Sequence, residues 1–338
     1  MCTLDVLYTC DDNYAAWAGI SMLSLFENNK ELDRIRVYIA AYRVSEENKK
    51  RLSDIADDFG RQLIIVDGEE LSGKIKSAGI PEYRGSIAAS FRLFFDIFIL
   101  PDTKRLLYLD CDTLVVGDLA QICDLDLGGK VCGAVRDSLT PSYKAVIGMA
   151  PDSDYFNSGV LLIDTEAWKR EKITEKLLDH AKNKRSDYCN PDQDLLNKVL
   201  EGKTLMLPPE YNLQPVHRAF SYSAYMSAFK PAVYYSKEEL SVGTGSPRIL
   251  HTYRFLGDFP WHARDLHPDT KVFDRYLGRS PWKDYKKLPS EQGLIFKIEK
   301  LLYKTLPPEL FLRIFAIATE KSFKKADRKR RGRQGIKK

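Results

Sequence analysis

The sequence predicts an α/β fold in which helices cover both faces of a mostly parallel sheet. Two features point there. Over the first 165 of its 338 residues, short apolar runs alternate with amphipathic stretches, the rhythm of strand–helix–strand units. Acids and amides, Asp12-Asn13 and Asp110-Cys111-Asp112, directly follow two of the apolar runs, at strand ends where parallel sheets bind ligands.

Taken in order, strands are expected at 4–9, 35–40, 62–66, 105–109, 131–136 and 159–163, with helices at 14–28, 45–59 and 87–98. The first helix sets Ala16, Ile20 and Leu23 at helical spacing, beside Gly19, Met22 and Phe26. Beyond 165 the pattern turns helical over 166–183 and 191–201, until Pro208-Pro209 breaks it. Residues 210–247 are rich in Tyr, Ser and Pro and read as loops and short elements around a cleft. A last helix puts Leu294, Ile295, Ile298, Leu301 and Leu302 on one face and Lys297, Lys300 and Lys304 on the other, and Pro307-Pro308 ends it. A second apolar stretch, 310–318, leads into a basic terminus. The division is therefore one α/β domain over 1–265 and a helical, basic appendage over 266–338.

Composition narrows the class. Hydrophobic residues make up 44% and charged residues 29%, and no apolar run approaches the roughly 20 residues of a membrane span. The N-terminus enters a strand pattern at once, without a basic region or a small-residue cleavage site, so export is not expected. Cys2, Cys10, Cys111, Cys123, Cys132 and Cys189 form no Cys-x-x-Cys pair, as for reduced thiols in the cytosol. The net charge of +5 conceals a division: residues 321–338 carry ten Lys/Arg against the single acid Asp327, and the rest of the chain is mildly acidic.

The chemistry starts at 106–116, Leu-Leu-Tyr-Leu-Asp-Cys-Asp-Thr-Leu-Val-Val. Read as a strand, this run directs Asp110 and Asp112 to the same side. Two such carboxylates repel, and their desolvation costs roughly several kcal/mol unless a cation compensates. A divalent metal is one reading; a strand end whose second acid caps a turn is the other.

Further segments accompany it. They are Thr9-Cys10-Asp11-Asp12-Asn13-Tyr14-Ala15-Ala16, Ser90-Phe91-Arg92-Leu93, Ile147-Gly148-Met149-Ala150 and Tyr155-Phe156-Asn157-Ser158-Gly159-Val160. Pro191-Asp192-Gln193-Asp194-Leu195-Leu196-Asn197 and a His251…Pro260-Trp261-His262 segment follow. In this order the set resembles the retaining glycosyltransferases of family 8, most closely the bacterial lipopolysaccharide galactosyl- and glucosyltransferases. The resemblance implies the GT-A nucleotide-diphospho-sugar transferase fold, Rossmann-like, over the α/β domain. It also implies transfer of glucose or galactose from a UDP-sugar to a hydroxyl of a glycan or glycolipid acceptor, with an α-linkage and Mn²⁺ (Mg²⁺ as the second choice).

Residue roles follow from the same resemblance. Asp110, Asp112 and His251 would hold the metal, a donor set suited to an octahedral divalent ion. Asp11 would accept from the uracil imide, Tyr14 would stack on the base, and Asn13 would reach the ribose or phosphates. Arg92 would organise the acidic cleft, and Cys111 and Gly257 are counted with Asp110 on the nucleotide-sugar side. Asp137, Asn157, Asp192 and Gln193 would touch the donor sugar or lie beneath its anomeric carbon. Asp-Asp-Asn before a helix is also an N-cap cluster, and Asp192-Gln193-Asp194 also suits the first turn of a helix. Gln193 is a neutral amide and a weak nucleophile, which favours front-face attack over a covalent intermediate.

One segment departs from the family pattern His-x-x-Gly-x-x-Lys-Pro-Trp. Here it reads His251-Thr-Tyr-Arg-Phe-Leu-Gly-Asp-Phe-Pro-Trp261, two residues longer, with Phe259 in place of the lysine and the glycine moved to Gly257. Arg254 is the substitute cation for the leaving diphosphate, or else a surface residue.

The tail, an amphipathic helix followed by Lys324-Lys325 and Arg328-Lys329-Arg330-Arg331, has the form of an anchor on an anionic leaflet. That places the enzyme in the cytoplasm, peripheral to the inner face of the plasma membrane. The alternatives are a helix packed on the domain with a solubilising end, or, less in keeping with the rest, a nucleic-acid patch. Two other functions use the same residues: a sugar-nucleotide hydrolase or nucleotidyltransferase, and a non-catalytic, membrane-associated UDP-sugar-binding protein. Residues 10–16 lack the glycine-rich loop of the nucleotidyltransferases, and a dead site would have lost some of its acids.

Overall fold

The computed structural model describes residues 2–80, 82, 86–138, 141–183, 188, 190–291 and 293–333. Its strands are β1 (Thr3–Asp11), β2 (Arg34–Tyr42), β3 (Gln62–Asp67), β4 (Arg105–Leu109), β5 (Thr113–Val115), β6 (Cys132–Arg136), β7 (Phe156–Asp164), β8 (Thr204–Met206) and β9 (Ile249–His251). Seven form one sheet in the order β3-β2-β1-β4-β7-β6-β8, and β5 pairs with β9 alone. The pairs β1–β2, β2–β3, β1–β4 and β6–β8 are parallel, whereas β7 runs antiparallel to both its neighbours. The sheet is thus mostly parallel but mixed, and β7 is the strand that alternation alone did not reverse.

That reversal positions the site. It brings the start of β7 beside the carboxyl end of β4, so that Asp110 N donates to Gly159 O at 2.8 Å. The β6–β7 register then slips between Ala134 and Val135, from a Leu161 partner to an Asn157 partner. A bulge of this kind re-aims side chains beside a site. One apolar layer packs the helix Asp12–Asn28 on one face of the sheet. Phe91, Phe94, Phe95 and Trp168 belong to the layer on the other.

Three local expectations change. The sheet strand ends at Leu109, and Asp110-Cys111-Asp112 form a turn before β5 rather than part of one strand. The segment Ala88–Ile97 is a 3₁₀ helix kinked at Phe94. It buries Phe91, Arg92, Leu93, Phe94 and Phe95 together, more than one stripe of an α-helix can cover. The helix expected over 166–183 is two, Thr165–Arg170 and Ile173–Asn183, parted by Lys172 at φ 53°. Cys2, Cys10, Cys111, Cys123 and Cys132 are free thiols; Cys189 lies outside the described residues.

The C-terminal segment has two parts. Phe273, Tyr276, Leu277 and Trp282 join the main core, where Trp282 fills the space above Gly19: an added Cβ there would lie 2.3 Å from its ring. Helices Leu294–Thr305 and Pro308–Arg333 follow. Phe311, Leu312 and Ala316 of the last helix are buried against Phe220, Tyr225 and Phe229, and Phe323 meets Tyr143 at 4.7 Å between ring centroids. No helix among the described residues is long and apolar enough to cross a membrane.

Candidate active site

One cavity of about 520 Å³ gathers residues from both strand ends. At its polar end, ligand atoms of Asp110, Asp112 and His251 all lie within 4.8 Å of one another. The β5–β9 ribbon is what unites them, because its register sets His251 opposite Thr113, the residue after Asp112. Thr252 N donates to Asp112 O at 2.7 Å and locks the approach.

The imidazole tautomer can be read from the hydrogen bonds. Asn157 Oδ1 accepts from the Gly159 N–H at 3.0 Å, which fixes that amide. Asn212 Nδ2 donates to the same oxygen at 3.0 Å, so Asn212 Oδ1 faces His251 Nδ1, also at 3.0 Å. Nδ1 therefore carries the proton. That leaves Nε2 to face Asp112 at 3.2 Å and Asp110 at 3.7 Å. There it shares a proton with the carboxylates or, once that proton is displaced, offers its lone pair to a cation, and burial with an oriented second nitrogen is what metal-bound histidines show. Burial lowers the proton affinity of His251, but Asp112 and Asp110 outweigh it and raise its pKa. The donor set fits a hard or borderline divalent ion.

Arg92 balances the acids. It is buried, 2.8 Å from Asp110 and 3.3 Å from Asp192, over the ring of Tyr108, with Nη1 donating to Ser158 O. Burial raises the Asp110 pKa and Arg92 opposes the rise. Tyr108 adds an O–H donated to Asp110 at 2.6 Å.

Beside the triad lies a floor of amides and carboxylates. Gln193 Nε2 donates to Asp137 at 2.7 Å and to Tyr155 Oη at 3.0 Å, while its Oε1 accepts from Ser158 N at 2.9 Å. Asn157 Nδ2 reaches Asp137 at 3.4 Å. Burial raises the Asp137 pKa, against the hydrogen bonds of Gln193 and Asn157. Asp192 and Gln193 enter the cavity from the first turn of the helix Pro191–Val199. Asp194 turns inward instead, fully covered, and accepts from Tyr143, Tyr155 and Asn190 N; burial pushes its pKa up to about 6.

At the other edge, Asp11, Tyr14 and Cys111 line the cavity. Asp11 caps the first helix, one oxygen accepting from Tyr14 N at 3.2 Å, so cap and cavity wall are the same residue. Asn13 is exposed in the first turn and stands outside the cavity wall.

The lengthened segment after His251 forms a tight turn. Phe255 and Asp258 exchange backbone hydrogen bonds, with Leu256 at φ 49° and Gly257 at φ 87° between them, positive angles that define a type I′ turn. Gly257 also lies against Phe296, whose ring atoms would be 2.6 Å from an added Cβ. It therefore serves the turn and the C-terminal helix, and does not line the cavity. Arg254 does line it, with its guanidinium 5.6 Å from the rings of Phe259 and Phe296 and 3.9 Å from Glu291. Its Nε is buried with no hydrogen-bond partner in the protein. Phe259 stacks on Trp261, and Trp261 on Trp17.

Several partners escaped the sequence reading. Asn212 sits in the segment with weak periodicity, where nothing marks it. Tyr155, Ser158 and Gly159 lie inside the quoted 155–160 motif, and Tyr108 inside the acidic strand, but no role could be assigned without the β7 reversal.

Comparison with known proteins gives the class. The crystal structure of the galactosyltransferase LgtC, in complex with donor and acceptor sugar analogues, matches with a TM-score of 0.68 at 26% identity, covering 82% of this chain and 96% of that one. The fold is that of the GT-A glycosyltransferases. The chain belongs to glycosyl transferase family 8, whose model matches residues 5–262. Among its relatives, the lipopolysaccharide 1,2-glucosyltransferase of Escherichia coli K12 is 31% identical over 298 residues, 87% of this chain and 83% of the relative. The lipopolysaccharide 1,3-galactosyltransferase of Salmonella typhimurium LT2 is 24% identical over 288 residues, 82% and 79% of the two chains.

Proposed function

We propose that this glycosyltransferase moves glucose or galactose from a UDP-sugar to a hydroxyl of a cell-surface glycan such as lipopolysaccharide, with retention at the anomeric carbon. The observation that carries the reading is the meeting, in one cavity, of the Asp110–Asp112–His251 cluster with the Asp137–Asn157–Asp192–Gln193 floor. The cluster would bind Mn²⁺, or Mg²⁺, which supplies Lewis-acid stabilisation to the departing diphosphate. Asp11 and Tyr14 would hold the uracil, while Asn13, exposed in the same turn and off the cavity wall, would reach the ribose or phosphates only at the cavity's open edge. Arg92 holds Asp110 and Asp192 in place through ion pairs of 2.8 and 3.3 Å. Arg254, its Nε free of protein partners, would take the charge that develops on the diphosphate.

Retention follows most simply from attack on the leaving-group face. The acceptor oxygen forms its bond to the anomeric carbon as the bond to the β-phosphate oxygen breaks, and the acceptor proton passes to that oxygen. The amide of Gln193 is tied to Asp137, Tyr155 and Ser158, so it supports the sugar without offering a nucleophile. The decisive experiment is a UDP-sugar panel with Mn²⁺, scoring UDP release with and without EDTA. Turnover of UDP-glucose or UDP-galactose that EDTA abolishes is expected. No turnover of any donor, or indifference to EDTA, contradicts the reading.

A peripheral membrane location is supported by the outward face of the helix Leu294–Thr305. Lys300 points inward, to the fully covered Asp258 at 2.6 Å, while Leu294 and Leu301 are 73% and 61% exposed. Ile295, Ile298, Leu310, Ile314 and Ile317 are exposed as well. An apolar face this size, next to the basic end of the chain, suits an anionic bilayer. The protein would then work on the cytoplasmic side of that membrane.

A further inference from the structure

The cavity continues past the donor-sugar floor. Phe220 and Phe229 on one side, Phe311 and Phe315 of the last helix, and Phe255 and Leu256 of the type I′ turn line this arm. Leu256 holds φ at 49°, a left-handed conformation that few residues other than glycine adopt, and its side chain faces the cavity. The turn thus sustains backbone strain while presenting an aliphatic group to the arm. A sugar ring can stack its C–H face on one phenyl ring, but among phenyl rings and Leu256 on several sides its edge hydroxyls would lose hydrogen bonds to water. A hydrocarbon chain has no such bonds to lose and gains burial.

Taking the cavity as the transferase site proposed above, we infer that this arm is an aglycone subsite: it receives a hydrocarbon group attached to the acceptor sugar, beside the hydroxyl that is glycosylated. The last helix then forms one wall of the acceptor site. Each methylene drawn into such a wall should tighten binding roughly fourfold.

The test compares methyl and octyl β-glucosides and β-galactosides, with a methyl β-disaccharide as the sugar-only control. Binding to the full chain is measured by calorimetry below micelle-forming concentrations, with and without UDP and Mn²⁺. The octyl compound of at least one hexose should bind at least tenfold tighter than its methyl counterpart and than the disaccharide. Phe229→Ala and Phe315→Ala should each remove most of that gain, while Phe315→Leu, which keeps the wall apolar, retains it. Equal binding of octyl and methyl compounds, preference for the disaccharide, or a gain that survives both alanine variants would overturn the inference. UDP binding measured in the same titrations reports separately on the nucleotide site.

Discussion

A Cβ atom placed on Gly159 would lie 2.1 Å from Cε1 of His251 and 2.8 Å from Oδ2 of Asp110. The glycine is therefore the space in which the imidazole and the carboxylate meet, and the buried His251, held by Asn212 at 3.0 Å, cannot move away without breaking that bond. Gly159→Ala should displace His251 and lower Mn²⁺ affinity at least a hundredfold, with a fall in Tm. Manganese titration followed by electron paramagnetic resonance checks it; unchanged affinity would show that the three groups do not act together.

Asn212 offers a gentler perturbation of the same centre. Its oxygen holds the His251 Nδ1 proton, and partners of this type typically account for about 10–100-fold in metal affinity. Asn212→Ala should weaken Mn²⁺ binding by about that factor while Asp112→Asn weakens it further. If Asn212→Ala binds metal as the parent does, the tautomer assignment is wrong.

Arg254→Ala should cut kcat at least tenfold. Arg254→Lys should recover only part of it, since a lysine cannot form the planar two-point grip on a phosphate. Steady-state UDP release measures both, and parent-like rates in the alanine variant remove Arg254 from the mechanism.

A covalent route predicts a different species. Rapid quench with donor alone, followed by intact-protein and peptide mass spectrometry, should reveal no hexosyl adduct. An adduct on Asp137 or Asp192 would replace front-face attack with double displacement.

The fold carries an acid sensitivity of its own. His267 donates Nε2–H to Tyr253 O at 3.1 Å and accepts at Nδ1 from Asp269 N at 3.1 Å, so the neutral ring is fully used. Burial lowers its pKa to about 4. A depressed imidazole binds fewer protons folded than unfolded, so stability is complete above pH 6.5 or so and is lost as pH falls toward 4. From this residue alone the loss at pH 5 is about 2 kcal/mol. Urea melts at pH 7 and 5 should show His267→Gln losing less on acidification than the parent; equal losses contradict the assignment.

Membrane association is separable from these. Replacing Lys324, Lys325 and Arg328 with Ser, or Ile298 and Leu301 with Ser, should reduce pelleting with anionic liposomes at least tenfold, each basic residue contributing about 1 kcal/mol near the surface. Pelleting equal to that of the parent would mean that this face serves another purpose.

Much of this was legible in the sequence because local patterns sufficed for it. Alternating apolar runs located β1 to β4, and the Asp-x-Asp spacing with its flanking apolar residues marked Asp110 and Asp112. What failed to show depended on long-range pairing. The antiparallel entry of β7 and its bulge bring Ser158 and Gly159 to the site beside Asn157, which the motif had already marked, and no residue within β7 announces its direction. Asn212 reaches His251 through a 3₁₀ turn whose sequence has no clear period. Gly257 could be read as a displaced ligand glycine until its positive φ and the ring of Phe296 supplied another reason for it. The last helix carried two messages at once, a face buried on the cavity and a face left to solvent, and periodicity alone could not say which would win.

The most direct test of the central claim, that Asp110, Asp112 and His251 hold a divalent ion that grips the donor diphosphate, is calorimetric titration of UDP into the metal-stripped protein with and without Mn²⁺. UDP should bind at least tenfold more tightly with the metal, and Asp112→Asn should abolish the difference. Equal affinity in the presence and absence of Mn²⁺ would contradict it.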